Sequence, residues 1–367
     1  MAFLRSRLAL LVLAIAVLIV LGLPAASLYY EYSAGASCAR CHEIRSEHSS
    51  WQTSSHRAVG CGACHGEILT FDPGFHLGNA RRLVQHIRGA YRDPIRLRNL
   101  DVNAMVGRCQ KCHQQEAAQW QNGPHGITYE TVFLDPKHNR SRLLMDDCLR
   151  CHGMFFEGGI RELVAPLNTA GPWKLLPASV VHQPVIPCLT CHAFHRSGDP
   201  LHTDTAADAK SAGREELYRP SLGFFDRRER ANFSVALLPL PVMFDSGRPV
   251  KISPDPRQSL CYQCHAPLAS MEVHSGDDRT PVGVHEGLSC LACHQKHGQH
   301  TRASCSTCHP RLSNCGLDVE KMDTTFASTK SPHNIHFVKC LDCHPKGIPK
   351  KHSASARSSS PTESRII

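Results

Sequence analysis

Residues 188–195 read C-L-T-C-H-A-F-H, and their first five letters are an instance of the word C-x-x-C-H that governs the whole chain. The word occurs nine times. The first five are Cys38, Cys41 and His42; Cys61, Cys64 and His65; Cys109, Cys112 and His113; Cys148, Cys151 and His152; Cys188, Cys191 and His192. The last four are Cys261, Cys264 and His265; Cys290, Cys293 and His294; Cys305, Cys308 and His309; Cys340, Cys343 and His344. Together they use eighteen of the nineteen cysteines and leave Cys315, which reads as incidental. Successive motifs start 23, 48, 39, 40, 73, 29, 15 and 35 residues apart. Paired C-x-x-C units also build zinc sites, but zinc does not require a histidine directly after the second cysteine. A thioredoxin-like redox pair appears once, beside a strand and a helix. A disulfide framework would leave one thiol over and would not explain the histidine.

The spacing suits covalent attachment of haem. Two thiols three positions apart each form a thioether with one vinyl group, and the following histidine binds the iron as its proximal ligand. The chain therefore reads as a multihaem c-type cytochrome with nine covalent haem c groups. Composition agrees. Aromatic residues are 6% of the 367, and 25 glycines and 24 prolines accompany 25 histidines. Apolar burial alone looks thin in such a chain, so cofactors are expected to serve as its core. The formal charge of +9 does not indicate nucleic acid, because the propionates of nine haems add roughly eighteen negative charges. Lysine and arginine read as counter-charge.

Sixteen histidines lie outside the motifs, where nine would close every sixth iron position. Several stand at regular offsets. His56, His285 and His300 each precede a motif's first cysteine by five residues, and His182 precedes one by six. His333 and His336 precede Cys340, and His125 follows Trp120 as His56 follows Trp51. His195 and His297 sit three residues after a proximal histidine. A ligand so placed cannot reach the far face of its own haem and must serve a neighbour, which draws two haems together. These nine are the expected distal ligands. His48, His76, His86, His138, His202, His274 and His352 are less well placed; about half of them are expected to be distal ligands and the rest solvated or propionate-binding, with His352 in the basic tail neither. Met154, two residues after His152, is the one methionine near enough to a motif to be an alternative ligand, or else it packs beside Phe155 and Phe156. Mostly bis-histidine irons are coordinatively saturated, of low potential, and suited to electron transfer.

The N-terminus carries Arg5 and Arg7, then an apolar run over residues 8–23, then Ala25, Ala26 and Ser27. The pattern directs export with the basic end left inside. An uncleaved anchor, with Tyr29, Tyr30 and Tyr32 at the interface, is the favoured reading, and a cleaved signal peptide is the alternative. Both put the remainder on the periplasmic side of a bacterial inner membrane. The expected fold is a multihaem cytochrome c, mainly short α-helices and coil wrapped around a haem chain. Little β is expected, and one N-terminal transmembrane helix or signal sequence. Residues 1–33 form the signal anchor or signal peptide, 34–197 a five-haem part, 198–258 a linker, 259–346 a four-haem part and 347–367 a disordered basic tail. Residues 76–92 suggest an amphipathic helix with Arg81, Arg82, Arg88 and Arg92 facing propionates, lipid or water. The run F-S-V-A-L-L-P-L-P-V-M-F in the linker suggests an edge strand or an extended cover over haem faces.

The apolar N-terminus followed by C-A-R-C-H, Trp51, His56 and C-G-A-C-H-G resembles the membrane-anchored periplasmic cytochromes of the NapC/NirT type. The likeness covers about residues 8–70. It implies oxidation of a membrane quinol for a periplasmic reductase. The family's first motif continues His-x-Met, whereas this one reads His42, Glu43, Ile44. That departure removes support for methionine ligation there.

Electron transfer from a membrane donor, with quinol as a candidate, to a periplasmic or outer-membrane partner is the function expected. The competing reading is a multihaem oxidoreductase with one open haem reducing nitrite, hydroxylamine or a sulfur oxyanion. No C-x-x-C-K motif of the ammonia-forming nitrite reductases is present. The partners implied are redox proteins and the membrane, not nucleic acid, and no residue reads as catalytic.

Overall fold

The computed structural model describes residues 2–33, 35–36, 38–66, 73–90, 98–194, 222–265 and 280–298, together with 336, 339, 341, 346 and 347. Within these the chain is mostly helix, 3₁₀ turn and coil, and its strands form three two-stranded antiparallel sheets. Several expected attachment and ligand residues lie outside the described ones. They are the eighth motif (Cys305, Cys308 and His309), the ninth motif (Cys340, Cys343 and His344), His195, His300 and His333. Cys315 and the basic tail from 348 onward lie outside as well, and near the ninth motif His336 is placed.

Helix α1 runs Ala2–Tyr32, with Pro24 inside it and an apolar run that includes Leu8, Leu11, Ile15, Leu18 and Leu21, all exposed. The side chains at 2–6, 23, 26, 27, 30 and 31 of this helix lie outside the described ones. Among the described residues, no helix is long and apolar enough to cross a membrane. A 3₁₀ turn at Cys38–Arg40 leads into α2 (His42–Gln52), and α3 is Cys61–His65. The amphipathic stretch expected near 76–92 is α4 (Pro73–Ile87).

A denser region follows. Helices α5 (Asn99–Gln110) and α6 (Gln114–Gln121) enclose the third motif. Helix α7 (Tyr129–Phe133) starts where the Thr128 hydroxyl accepts from Thr131 N, and α8 (Pro136–Ser141) where the Asp135 carboxylate accepts from Lys137 N at 2.9 Å. Short polar side chains at these positions satisfy amides that helical geometry leaves over. Helix α9 (Ile160–Leu163) is held by Asp146 Oδ1, which accepts from Ile160 N at 2.6 Å, and runs into β1 (Val164–Ala165), paired with β2 (Lys174–Leu175).

This region has a side-chain core, contrary to the expectation that cofactors alone would supply one. Tyr129, Phe133, Leu149, Leu163, Val164 and Val185 are each at most 1% exposed and belong to one ten-member cluster. Average composition concealed it, because the apolar residues are gathered between 129 and 185 rather than spread along the chain. A second cluster joins Val102 of α5 to Met154, Phe155, Leu189, Phe224 and Phe225. Met154 is 2% exposed inside it, which makes it a packing residue. Phe224 and Phe225 come from β3 (Gly223–Asp226), paired with β4 (Ala231–Ser234) in the register Phe224 to Phe233. Gly223 N donates to Cys191 O at 3.1 Å, so the hairpin docks on the fifth motif. The expected strand ends early. After Ser234 the chain turns at Val235–Leu237, and Pro239 and Pro241 offer no ladder donors beyond it. The sheet of β5 (Phe244–Asp245) and β6 (Arg248–Pro249) precedes α10 (Arg257–Cys261), and α11 is Cys290–Cys293.

Candidate functional site

Each motif in the described residues lies in a helical turn, as its spacing requires. In such a turn residues three and four apart share one side, so both sulfurs and the histidine face the same way. The turns close alike. The motif histidine's backbone N–H donates to the first cysteine's carbonyl, His113 to Cys109 at 2.9 Å, His152 to Cys148 at 2.9 Å, His192 to Cys188 at 3.0 Å, His265 to Cys261 at 2.9 Å and His294 to Cys290 at 2.9 Å. In the third motif Cys112 N also donates to Cys109 O, at 3.2 Å. Two motifs continue into glycine, and Gly66 and Gly153 have φ of 91° and 92°. A Cβ at Gly153 would lie 2.6 Å from the Tyr129 ring, and one at Gly66 would lie 2.8 Å from the Arg108 guanidinium. Glycine suits both the left-handed backbone and the close approach.

Thirteen of the motif cysteines, from Cys41 to Cys293, are not joined in disulfides. Cys64 and Cys112 are exposed, and the rest are half-buried. The expected attachment cysteines Cys305, Cys308, Cys340 and Cys343, and the expected proximal ligands His309 and His344, lie outside the described residues, so no geometry is given for them. The described thiols crowd together across motifs. Cys109 donates to Cys188, which raises the Cys109 thiol and lowers Cys188. Cys264 stands in the same relation to Cys151, and Cys290 to Cys261. Burial pushes Cys191 up to about 11. Hydrogen bonds fix two further approaches. Arg108 Nη1 donates to Cys64 O at 2.7 Å, tying the second motif to the third, and Ser289 Oγ donates to Asp255 Oδ2 at 2.7 Å, tying the approaches to the sixth and seventh.

Five motif histidines face a second histidine. Ring centres are 5.5 Å apart for His42 and His86, 6.0 Å for His113 and His56, 6.1 Å for His192 and His297, 6.2 Å for His265 and His125, and 6.1 Å for His294 and His336. Two imidazoles holding one metal ion between them, with bonds of about 2.0 Å and about 1 Å from each nitrogen to its ring centre, would have ring centres about 6 Å apart. Four pairs match that span, and with the free thiols they form a donor set that fits haem c. The first pair is tighter. Glu43 Oε1 lies 2.5 Å from His86 Nδ1 and 3.6 Å from His42 Nε2, and Glu43 is only 6% exposed. Burial acts to raise that carboxyl, and its backbone hydrogen bond, the one from His86 and the neighbouring imidazoles outweigh it, holding it below its ordinary value. Burial lowers His56 and His297, favouring the neutral form that binds metal.

Two tryptophans hold the segments that lead into motifs. Trp51 Nε1 donates to His56 O at 3.0 Å and Val59 O at 3.1 Å, two residues before Cys61. Trp120 Nε1 donates to Ile186 O at 3.0 Å, two residues before Cys188. The repeated Trp-to-His spacing is thus one device used locally in the first case and across the fold in the second.

His56, His125, His297 and His336 each lie opposite a motif histidine. His182 is 86% exposed and sits 3.5 Å from Glu130 Oε2, and His285 lies in the turn before the seventh motif, where its carbonyl accepts from Leu288 N at 3.1 Å. His86, one of the less well placed histidines, lies opposite His42. Its cue is Glu43 beside the first proximal histidine, but a contact between α2 and α4 is not visible in local spacing.

Residues 108–162 match the family model for cytochrome c554 and c-prime. The match spans the third and fourth motifs and ends in α9, so it lies largely on the region with the side-chain core. No curated protein and no solved structure matches the chain. Together with the motif chemistry, the match defines the class: a c-type cytochrome. Its cofactor is covalently bound haem c, and its general function is haem-based electron transfer.

Proposed function

We propose that the chain is a nine-haem relay, held at the membrane by its N-terminal segment and carrying electrons from a membrane donor to a periplasmic or outer-membrane partner. The observation that carries the reading is the set of five facing histidine pairs. Haem held between two such histidines would offer substrate no open position on iron, which supports conduction over catalysis. Haem, when bound, supplies one-electron chemistry. The protein positions the attachment turns, supplies both axial ligands and crowds neighbouring motifs together. The count of nine rests on the eighth and ninth motifs as words of sequence, Cys305, Cys308 and His309 and Cys340, Cys343 and His344.

At the end of α1 a cavity of about 380 Å³ is lined by Ser33, Ala36, His48, Trp51, Gln52 and Arg57. It lies beside the second motif, since a Cβ at Gly35 would meet Cys61 Sγ at 2.8 Å and His48 Cδ2 at 3.2 Å. This location supports quinol as the donor, as does the NapC/NirT-type resemblance. Quinol-dependent reduction in proteoliposomes, compared with and without residues 1–27, tests that part. For the relay as a whole, mass spectrometry is expected to count nine haems, and paramagnetic resonance to show mostly low-spin, low-potential iron. A dominant high-spin signal, or carbon monoxide or nitrite binding at one reduced haem, would favour the multihaem oxidoreductase instead.

A further inference from the structure

We propose that the two halves of the chain complete each other's haem sites by exchanging axial histidines. His125, from the N-terminal half, would serve the sixth motif, and His297, from the C-terminal half, the fifth. The inference rests on the bis-histidine reading above and adds which residue serves which site.

The geometry is reciprocal. His125 lies in the 3₁₀ turn Pro124–Gly126, with its ring centre 6.2 Å from His265. His297 follows His294 by three residues and stacks towards His192 at 6.1 Å with 24° between the rings. Both spans equal two metal–imidazole bonds plus the ring radii, about 6 Å. Neither histidine can serve the nearest motif in sequence. His297 is tethered on the proximal side of the seventh motif by His294, and the seventh motif's histidine already faces His336. His125 is held on a rigid turn. A side chain at Gly126 would come within 2.4 Å of Trp120 O, and Trp120 is itself pinned to Ile186 just ahead of the fifth motif.

The seam between the halves is close elsewhere too. Leu260 and Cys264 pack against the cluster of Met154, Phe155 and Leu189, and the β3 hairpin lies on the fifth motif through Gly223 N and Cys191 O. Two crossed ligand bonds would therefore close a seam that side-chain packing already brings together. Each half would contain the thioether cysteines and proximal histidine for one of these haems and depend on the other for the sixth ligand.

The test uses the full-length haem-loaded protein. His297→Ala and His125→Ala are each expected to convert one haem from low-spin to high-spin in the resonance spectrum, with the haem count by mass unchanged and added imidazole restoring the low-spin signal. Assignment comes from combination. In a chain lacking the fifth haem (Cys188→Ser with Cys191→Ser), His297→Ala should add no high-spin signal, whereas in one lacking the seventh (Cys290→Ser with Cys293→Ser) it still should. Should the cysteine variants not fold, His297→Met serves in their place, raising the potential of one haem that retains its low-spin spectrum. The exchange is overturned if His297→Ala leaves every haem low-spin, or if its signal disappears with the seventh haem rather than the fifth. Failure of the bis-histidine reading itself would show earlier, as high-spin iron in the unaltered protein.

Discussion

Residues 98–194 and residues 38–66 carry the same motifs and are built differently. The first region buries Tyr129, Phe133, Leu149, Leu163 and Val185 in an apolar cluster around the fourth motif. In the second, α2 buries a single side chain, the carboxylate of Glu43, and α3 buries none. One region can hold its shape by apolar burial, at about 25 cal/mol per Å². The other has polar helices, a tryptophan hydrogen-bonded to the loop before Cys61, and attachment sites, so its stability must come from cofactor binding. The same C-x-x-C-H turn thus sits in two energetic settings.

The largest effect that would break this comparison is removal of haem. In chain produced without haem attachment, hydrogen exchange is expected to show no protection across 38–66, while amides around 129–165 keep measurable protection. Equal loss in both regions would show that the side-chain cluster is not self-sufficient. Next, Phe133→Ala in the haem-loaded protein should cost about 3–5 kcal/mol in chemical denaturation, because Phe133 is fully buried and the site cannot collapse easily. A smaller effect sharpens the contrast at two equivalent positions. Gly153→Ala meets the packed Tyr129 ring, whereas Gly66→Ala meets only the end of the Arg108 side chain. Both carry the positive-φ penalty, and the Gly153 variant should lose about 1–3 kcal/mol more, from overpacking. Equal losses would mean that the Tyr129 ring can move aside.

The smallest effect concerns the segment before the seventh motif. Arg248 grips Glu286 with two contacts of 2.8 and 2.6 Å, and that pairing holds the Glu286 carboxyl at about 2, below its ordinary 4.5. A depressed carboxyl favours the folded state above its ordinary value, and the contribution disappears as pH falls towards about 2. Glu286→Gln should therefore lower the thermal midpoint at neutral pH, with the gap from the unaltered protein narrowing between about pH 4.5 and 2. A gap that does not change over that window would mean the ion pair is not linked to folding.

The motifs were legible in the sequence because each is confined to five positions. The facing histidine pairs were harder to read. His56, His125, His297 and His336 stood out by their nearness to motifs, yet the motif each one faces is not the one nearest in sequence. His56 precedes Cys61 and faces His113; His297 follows His294 and faces His192. Nearness in sequence marked the residues and long-range packing chose their partners. His86 carried no local mark, since it reaches His42 only by the placement of α4 against Glu43. The apolar cluster was hidden for another reason: its members lie on short helices, 3₁₀ turns and two-residue strands, too brief to show a period.

In the third to seventh motifs, the bond from the histidine's amide to the first cysteine's carbonyl has a consequence for assembly. That closing bond lies inside the five residues, so this part of the turn's form does not depend on which chain precedes or follows it. Such a unit is portable. It can be presented for attachment before distant segments have docked, and it tolerates intervals as short as 15 and as long as 73 residues. The interval between motifs is thus free to be set by what the intervening segments contribute, whether a hydrophobic cluster, an axial ligand or a hairpin.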